Sequence, residues 1–300
     1  MLRYCLSILL LAIVLADGVQ AQGRVLIVRD NSVVAQQTSD SLTAQLIGTG
    51  WIVTDSLVVA NDAVPAHSEG ERIVVALGAR AFAIALRRSG GKPVIGALLA
   101  SSSLDESTVA SGDRWSVIML DQPIDRWISL LQVAFPGIQR VGMVTSQASH
   151  KTIRTLEKAM AEKHLTLTIE QINGSAGLVS AIERLTPKIE VLLAIPDSVV
   201  HNRNTVQPLL LTTYRAGIPV VAYSESYQQA GAVLALYSTI PQIAAQIVDS
   251  LNQIKDGRSL PNVQSPRYFS VGVNAAVARS LGMPLPPASE IDRRLRSLGQ

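Results

Sequence analysis

Cysteine is almost missing from this sequence: its 300 residues contain only Cys5. A single thiol excludes an internal disulfide. Aromatic residues make up only 4% of the chain, which leaves few side chains for the stacking platforms that hold single-stranded nucleic acid. The formal net charge is only +3. The basic residues are scattered along the sequence and form no basic stripe of the kind that binds a phosphate backbone. We therefore expect no nucleic-acid partner.

Long apolar runs are missing after the N-terminus, where the only one has the features of an export signal. Arg3 precedes an apolar core at Leu6–Leu15, and small residues follow up to Ala21. This core is too short to span a hydrocarbon layer of about 30 Å. Cys5 lacks the small preceding residues of a lipoprotein signal. We expect cleavage after Ala21, which gives a soluble periplasmic protein that starts at Gln22.

Recognisable catalytic and metal-binding motifs are also missing. The four histidines do not have the spacing of a metal site; they are His67, His150, His164 and His201. There is no Gly-x-Ser-x-Gly or His-Glu-x-x-His motif, and Gly90–Pro93 lacks the spacing of a phosphate-binding loop. His150 and His201 lie near predicted helix starts and are expected at the surface. The sequence thus predicts no catalytic residue, metal or cofactor, and a protein that is not an enzyme.

Short apolar runs alternate with segments of helical period along the rest of the chain. The runs are almost continuously apolar, which is typical of parallel strands covered by helices on both faces; they are Val25–Val28, Ile73–Leu77, Val94-Ile95, Val117–Leu120, Val141–Val144, Val191–Ile195 and Val220-Val221. The clearest helix has apolar residues three or four apart from Ile240 to Ile254. This alternation predicts the α/β class with parallel sheets.

A weak internal repeat indicates two similar units. Ile73–Arg80 leads through a helix to Gly91–Ala97, and Val191–Ser198 leads through another helix to Gly217–Tyr223. Each copy is an apolar strand, a tight loop, a helix and a Gly-x-Pro-Val turn into the next strand. Proline suits the start of a strand because it has no N–H for the ladder. We therefore predict two Rossmann-like lobes, with a junction near Asp121-Gln122-Pro123.

The candidate ligand site follows from the loops after these strands, because open α/β sheets bind ligands beyond the carboxyl ends of their strands. These loops are rich in short polar side chains, which suit a small polar ligand. The candidate ligand-binding residues are Asn31, Gly78, Ala79, Ser101, Ser102, Ser146, Asp197, Ser198, Tyr223, Ser224, Glu225 and Tyr237.

Several of these residues have two possible roles. Asp197 is able to accept a ligand ammonium or to cap the following helix, and Ser224 and Glu225 have the same alternatives. Ser101 and its neighbours either hold a carboxylate or form a loop before a helix. Tyr223 and Tyr237 either wall the cleft or pack in the core.

Four segments carry a resemblance to a known family. They are Ala76–Ala81, Ile195–Val200, Gly217–Glu225 with Ala230–Ala232, and Phe269–Asn274 with Ala278, Leu281-Gly282 and Pro284. These segments resemble the bacterial ABC-transporter substrate-binding proteins related to those that take up tryptophan or tyrosine. The matches in the second half of the chain are the more specific ones.

The resemblance implies a fold like that of type I periplasmic binding proteins, with the ligand cleft between the lobes. One lobe is then expected at 24–119 plus 238–264, and the other at 120–237 plus 265–300. The chain would return to the first lobe because the strand at Ala232–Leu236 leads into the long helix after Pro241.

Two segments depart from the family pattern. Leu99–Ser103 stands where the family commonly has an Asp-Pro pair, and Trp115–Leu120 replaces a glycine-rich segment. The ligand of the described members is therefore not carried over. We expect hinge closure around a small polar ligand, such as an amino acid or a related amine.

Two roles remain open for such a protein. It is either a receptor that delivers its ligand to an inner-membrane ABC permease, or a sensor that presents ligand occupancy to a membrane signalling protein. Both roles need the same closing cleft. In either role we expect a monomer.

Overall fold

The computed structural model describes residues 23–58, 73–104, 114–147 and 150–298. The predicted export signal and Cys5 lie outside these ranges. Within them, the strands form two six-stranded sheets, and the predicted two-lobed α/β architecture is confirmed. No helix among the described residues is long and apolar enough to cross a membrane.

The elements alternate along the chain as the sequence pattern predicts. Up to residue 119 they are β1 (Gly23–Arg29), α1 (Val33–Leu46), β2 (Trp51–Val58), β3 (Ile73–Leu77), α2 (Ala79–Arg88), β4 (Val94–Leu99) and β5 (Trp115–Met119). Then come α3 (Ile124–Ala134), β6 (Arg140–Thr145), α4 (His150–Glu162), β7 (Thr166–Gln171), α5 (Leu178–Leu185), β8 (Val191–Leu193), α6 (Val206–Arg215), β9 (Val220–Ala222), α7 (Glu225–Ala230) and β10 (Leu234–Tyr237). The last elements are α8 (Ile240–Lys255), β11 (Val263–Gln264), β12 (Ser270–Val273), α9 (Ala275–Ser280) and α10 (Ala288–Leu298).

The first sheet has the order β11-β5-β4-β3-β1-β2, and all its pairs are parallel. Its central strands are buried on both faces. Successive side chains of a strand point to opposite sides of the sheet, so each of these strands contributes to the core on both sides. Val25 and Ile27 pack with α1 and α8, whereas Leu26 and Val28 pack with α2. This double burial explains why the strands are almost continuously apolar.

The second sheet has the order β12-β10-β9-β8-β6-β7. Helices α3, α4 and α10 share a core with one face, and α5 and α6 share a core with the other. One edge departs from the expectation of a wholly parallel sheet, because β12 runs antiparallel to β10. The edge strands β2, β7 and β11 were not predicted. Every residue of β7 is half-buried or exposed, so this segment lacks the continuous apolar run that indicates a buried strand.

Between the described strands the chain passes from one sheet to the other three times. The passages lie after β5, after β10, and between β11 and β12. The helix α8 packs with the first sheet, where Trp51 Nε1 donates to Asn252 Oδ1 at 2.9 Å. The lobe limits 24–119 plus 238–264 and 120–237 plus 265–300 remain a proposal, which this strand membership supports.

The three passages are joined by a chain of hydrogen bonds. Gln122 Nε2 donates to Ser238 Oγ at 3.0 Å, and Ser238 Oγ donates to the carbonyl oxygen of Tyr268 at 2.6 Å. Arg126 donates to Gln122 Oε1 at 2.6 Å and to the carbonyl oxygen of Pro266 at 2.9 Å. Each passage therefore contributes a partner to one polar network, which we call the hinge network.

Candidate functional site

A cleft of about 730 Å³ lies at the carboxyl ends of the strands and is lined from both sheets. Its volume lies in the range of small-molecule sites. The lining residues are Asp30, Ser32, Val34, Leu98 and Leu120 from the first part of the chain, Pro196 and Tyr223–Ser226 from the second sheet, and Tyr237–Pro241 with Ile243 from the second passage and the start of α8.

The wall from the second sheet is built around the start of α7. Ser224 Oγ accepts a hydrogen bond from the backbone N–H of Tyr227 at 3.2 Å and so caps this helix. Glu225 follows in the first turn with an exposed side chain. Burial raises the pKa of Tyr237, and the Glu225 charge adds a smaller contribution in the same direction. Both residues line the cleft.

Behind this wall the buried His201 and Tyr227 form a ring cluster with Tyr223, which is half-buried and belongs to the wall itself. His201 Nδ1 and the Tyr227 hydroxyl are 3.1 Å apart, and the two rings meet edge to face with centroids 5.6 Å apart. The His201 ring is also 5.8 Å from that of Tyr223, which faces the cleft. Burial is the main cause that raises the pKa of both tyrosines, so both hydroxyls are neutral at pH 7.

The prediction that His201 is a surface residue is wrong, since only 8% of it is exposed. The sequence pattern placed a helix start directly after Ser198, but α6 begins at Val206. The intervening loop folds inward and carries the imidazole beneath Tyr223. Burial lowers the pKa of His201 to about 4, and the nearby Asp197 charge offsets this only in part. Its Nε2 is buried and has no hydrogen-bond partner among the described residues.

Asp197 joins two loops beneath the cleft. It is 7% exposed, and Oδ2 accepts from the backbone N–H of Ser146 at 2.9 Å. Oδ1 accepts from the N–H groups of Val199 and Val200 at 3.0 and 3.2 Å. The carboxylate therefore caps the turn after β8 and ties it to the loop after β6. It does not belong to the cleft lining given above, and its predicted ligand contact remains untested.

The wall from the first sheet is the start of α1. Asp30 Oδ1 accepts from the N–H of Ser32 at 2.9 Å, and Ser32 Oγ caps α1 by accepting from the N–H of Ala35 at 3.2 Å. Gly78 lies behind Asp30 with a φ of 102°, and a Cβ at this position would overlap Asp30 Oδ2. Glycine therefore lets the aspartate lie against the loop after β3.

The remaining predicted site residues do not line the cleft. Asn31 and Ser198 are exposed, Ala79 is half-buried at the start of α2, and Ser146 is buried beneath Asp197. Ser101 donates through its N–H and its hydroxyl to Asp121, at 2.6 and 3.1 Å. For Ser102 the structure describes only the backbone, which is part of a helical turn at 101–103.

The structure thus brings together four of the predicted residues, which are Tyr223, Ser224, Glu225 and Tyr237. The rule of strand ends selected the loops of Asp30, which follows β1, and of Pro196, which follows β8, but these two residues were not among the candidates chosen from them. The sequence does not indicate the lining residues between Ser238 and Ile243, because their position depends on where the chain passes from one sheet to the other. Within the described ranges, no group of three or more His, Cys, Asp or Glu could hold a metal ion.

Several solved structures share this fold. The ligand-free, open structure of CD0873, a substrate binding protein with adhesive properties from Clostridium difficile, aligns with a TM-score of 0.72 at 16% identity over 89% of this chain and 97% of that one. The ABC domain from Streptococcus pneumonia in complex with L-Trp aligns with a TM-score of 0.62 at 13% identity, over 90% and 98%. A conserved domain protein from Vibrio cholerae aligns with a TM-score of 0.60 at 18% identity, over 91% and 98%.

Sequence comparison places the chain in a family. A search of curated proteins finds no match. The model of the family described as ABC transporter substrate binding protein matches residues 59–287, which is most of the chain. This match confirms the resemblance found in the sequence, and the protein belongs to the family of ABC transporter substrate binding proteins.

Proposed function

We propose that the protein captures a small polar ligand between its two lobes and delivers it to an inner-membrane ABC permease. The observation that carries this proposal is the cleft, whose lining comes from both sheets and from the second passage between them. A ligand that touches both walls binds the closed form better than the open form. It therefore shifts the molecule toward closure by this difference in affinity.

The hinge network offers a place for such a motion. Its groups lie on the segments that join the lobes, so a rotation of one lobe changes their relative positions first. The hinge residues of closing proteins are a few loop or element-terminal positions. Ser238 belongs both to the hinge network and to the cleft lining, which gives a bound ligand a direct contact with the moving segment.

The same proposal covers the location, the oligomeric state and the ligand class of the protein. The N-terminal segment would export the chain to the periplasm, where it would act as a monomer without catalysing a reaction. An amino acid or a related amine is the ligand class that the sequence suggested. Delivery to a permease is favoured over presentation to a membrane sensor by the family to which the chain belongs.

Mass spectrometry of small molecules released from gently purified protein would test the capture step. We expect about one molecule per chain, and its loss when Tyr223 and Tyr237 are both changed to Ala. Tyr214→Ala is the matched control, because this tyrosine lies outside the cleft and is 45% exposed on α6. An equal loss in the control, or no retained molecule and no change in small-angle scattering with any candidate ligand, would contradict capture in the cleft.

Uptake would test the delivery step. Cells that lack the gene should no longer accumulate the identified molecule, and the normal gene should restore uptake. If accumulation is unchanged while a transcriptional response to the molecule disappears, the sensor role replaces the transport role.

A further inference from the structure

We infer that the cleft takes an organic cation, namely a ligand with an ammonium group and an apolar body but without a free carboxylate, held between Asp30 and Glu225. This inference rests on the proposed function, because it names the ligand class of the same cleft. It narrows the amino acid or amine suggested by the sequence to the amine.

The charged side chains of the cleft lining favour a cationic ligand. Asp30 and Glu225 are its two carboxylates, and Lys, Arg and His are absent from the lining that the structure describes. Tyr223 and Tyr237 both have raised pKa values, with burial as the main cause, so they stay neutral at pH 7. The described lining therefore has a formal charge of −2, from one carboxylate on each wall. Such a site attracts cations and repels anions.

The two carboxylates have no ion-pair partner among the described residues, and the adjacent Arg29 guanidinium donates to the carbonyl oxygen of Asp30 at 3.3 Å and not to its carboxylate. The Glu225 carboxylate accepts no hydrogen bond from a described residue. Asp30 uses Oδ1 to accept from the Ser32 N–H, which leaves Oδ2 for another donor. An ammonium group has three donors, so it is able to bridge both walls after closure.

The rest of the lining suits an apolar body. Val34, Leu98, Leu120, Pro196 and Ile240 contribute aliphatic surface from both walls and from the start of α8. Tyr223 and Tyr237 add aromatic rings, whose faces attract a cation through the ring quadrupole. A small sugar would leave much of this apolar surface without a matching partner, whereas the hydrocarbon part of an amine would cover it.

The same charges argue against a free carboxylate on the ligand. A zwitterionic amino acid needs a partner for its carboxylate as well as for its ammonium group, and the described lining offers no cationic side chain. The start of α1 does present backbone N–H groups, but Asp30 lies directly before it and opposes an anion there. We expect an amine to bind at least about tenfold more tightly than the amino acid with the same side chain, which is a difference of about 1.4 kcal/mol.

Ligand charge is also coupled to closure. In the empty protein, closure brings two walls of like charge together, which opposes the closed form. A bound cation removes this repulsion, because it interacts favourably with both carboxylates only after closure. The closed form is thus favoured selectively by ligands of the correct charge.

Calorimetric titration with matched probes tests the inference. The cations are choline, phenethylamine and tryptamine; the zwitterions are L-phenylalanine and L-tryptophan; the anions are 3-phenylpropionate and indole-3-propionate. We expect at least one cation to bind with a Kd below about 0.1 mM, the matched zwitterion to bind at least about tenfold more weakly, and the anions not to bind. No binding by any cation, or equal binding by a matched zwitterion or anion, would overturn the inference.

Charge-neutral variants localise the effect. Asp30→Asn keeps an oxygen for the Ser32 N–H, and Glu225→Gln changes an exposed side chain, so both variants should fold. Each should weaken binding of the cation by about 30-fold or more, as expected for one partner of a desolvated charge pair. Asp40→Asn and Glu183→Gln are matched controls, because both carboxylates are exposed outside the cleft; they should bind within about twofold of the unchanged protein.

The outcomes separate this inference from the proposed function. A neutral or anionic molecule that is released from the purified protein, and lost in the Tyr223 and Tyr237 double variant, would overturn the cation and leave capture in place. Cation binding that survives both Asp30→Asn and Glu225→Gln would also overturn it.

Discussion

The two walls of the cleft differ in what lies behind them. The wall from the second sheet is backed by Asp197, whose carboxylate ties two loops together, and by the ring cluster of His201, Tyr223 and Tyr227. The described polar side chains buried in the first lobe are uncharged; they are Thr38, Ser39, Ser89, Ser116, Gln246, Ser250 and Gln264. The second wall is therefore held in shape by buried polar contacts, while the first is the exposed start of one helix beside apolar strand ends.

This difference suggests that the two walls have different roles in ligand binding. A preformed wall binds a ligand at a low cost in ordering, since its side chains are already fixed. The other wall then needs only to supply Asp30 and an apolar surface when the lobes close. Ligand selection would thus rest mainly on the second lobe, and the closing movement would bring in the first.

The largest effect that tests this difference is expected from Asp197→Ala. The change leaves three backbone N–H groups without their carboxylate acceptor, and two of these groups are buried. The free energy of unfolding should fall by about 3 kcal/mol in urea denaturation, and tight ligand binding should disappear with the shape of the wall. Asp121→Ala is the counterpart at the edge of the first lobe, because this aspartate lies in the passage after β5 and accepts from Ser101 of that lobe at an exposed site; the change should cost less than about 1 kcal/mol. Equal losses would remove the contrast between the lobes.

Acidification should weaken the protein through His201. Its pKa is about 4 in the folded state against 6.5 for an ordinary histidine, so the unfolded chain takes up the proton first as the pH falls. Folding stability from the neutral ring is complete above pH 6.5 and is lost as the pH drops toward 4. Between pH 7 and 5 this loss should be about 2 kcal/mol.

Urea denaturation at several pH values would measure this loss. Asp197, Tyr223 and Tyr227 also face the ring, but both tyrosines stay neutral in this range because their pKa values are raised. His201→Phe should therefore flatten the profile between pH 5 and 7, whereas exposed His164→Asn should leave it unchanged. An unchanged profile in His201→Phe would mean that the imidazole does not carry this dependence.

The last comparison is between Gly78→Ala and Gly217→Ala. Gly78 combines a φ of 102° with a ψ of 154°, a conformation that is essentially restricted to glycine, and an added Cβ would overlap Asp30 Oδ2; the change should cost about 1–3 kcal/mol. Gly217→Ala should cost about 1 kcal/mol, since φ is 71° and nothing lies within 4 Å of an added Cβ. Only the Gly78 variant should also weaken ligand binding, because the added methyl group displaces the Asp30 carboxylate. Calorimetry of both variants compares the two effects, and equal binding would show that the position of Asp30 does not matter.

The sequence was sufficient for the fold because both sheets are buried on two faces, which leaves a strong apolar pattern in their central strands. The strand-end rule selected the loops that contain Glu225 and Asp30, but of Asp30, Asn31 and Ser32 only Asn31 was chosen as a candidate. The apolar run stops at Val28, whereas β1 continues to Arg29, and the lining residue is the next one. His201 was misplaced because a polar loop that folds inward has no periodic pattern. Ser238 was missed because its position depends on contacts between segments that are far apart in the sequence.

The three passages between the sheets have a consequence for the order of synthesis. A ribosome has made more than four fifths of the chain before β11 appears, and β11 completes the first sheet at its edge beside β5. The first lobe therefore cannot finish folding as an early independent unit, although its strands β1 to β5 are made first. Since export to the periplasm is proposed for this chain, this delay would leave its N-terminal half incompletely folded while synthesis continues. A message truncated after Tyr237 would remove an edge strand from both sheets at once, so its product would retain neither lobe intact.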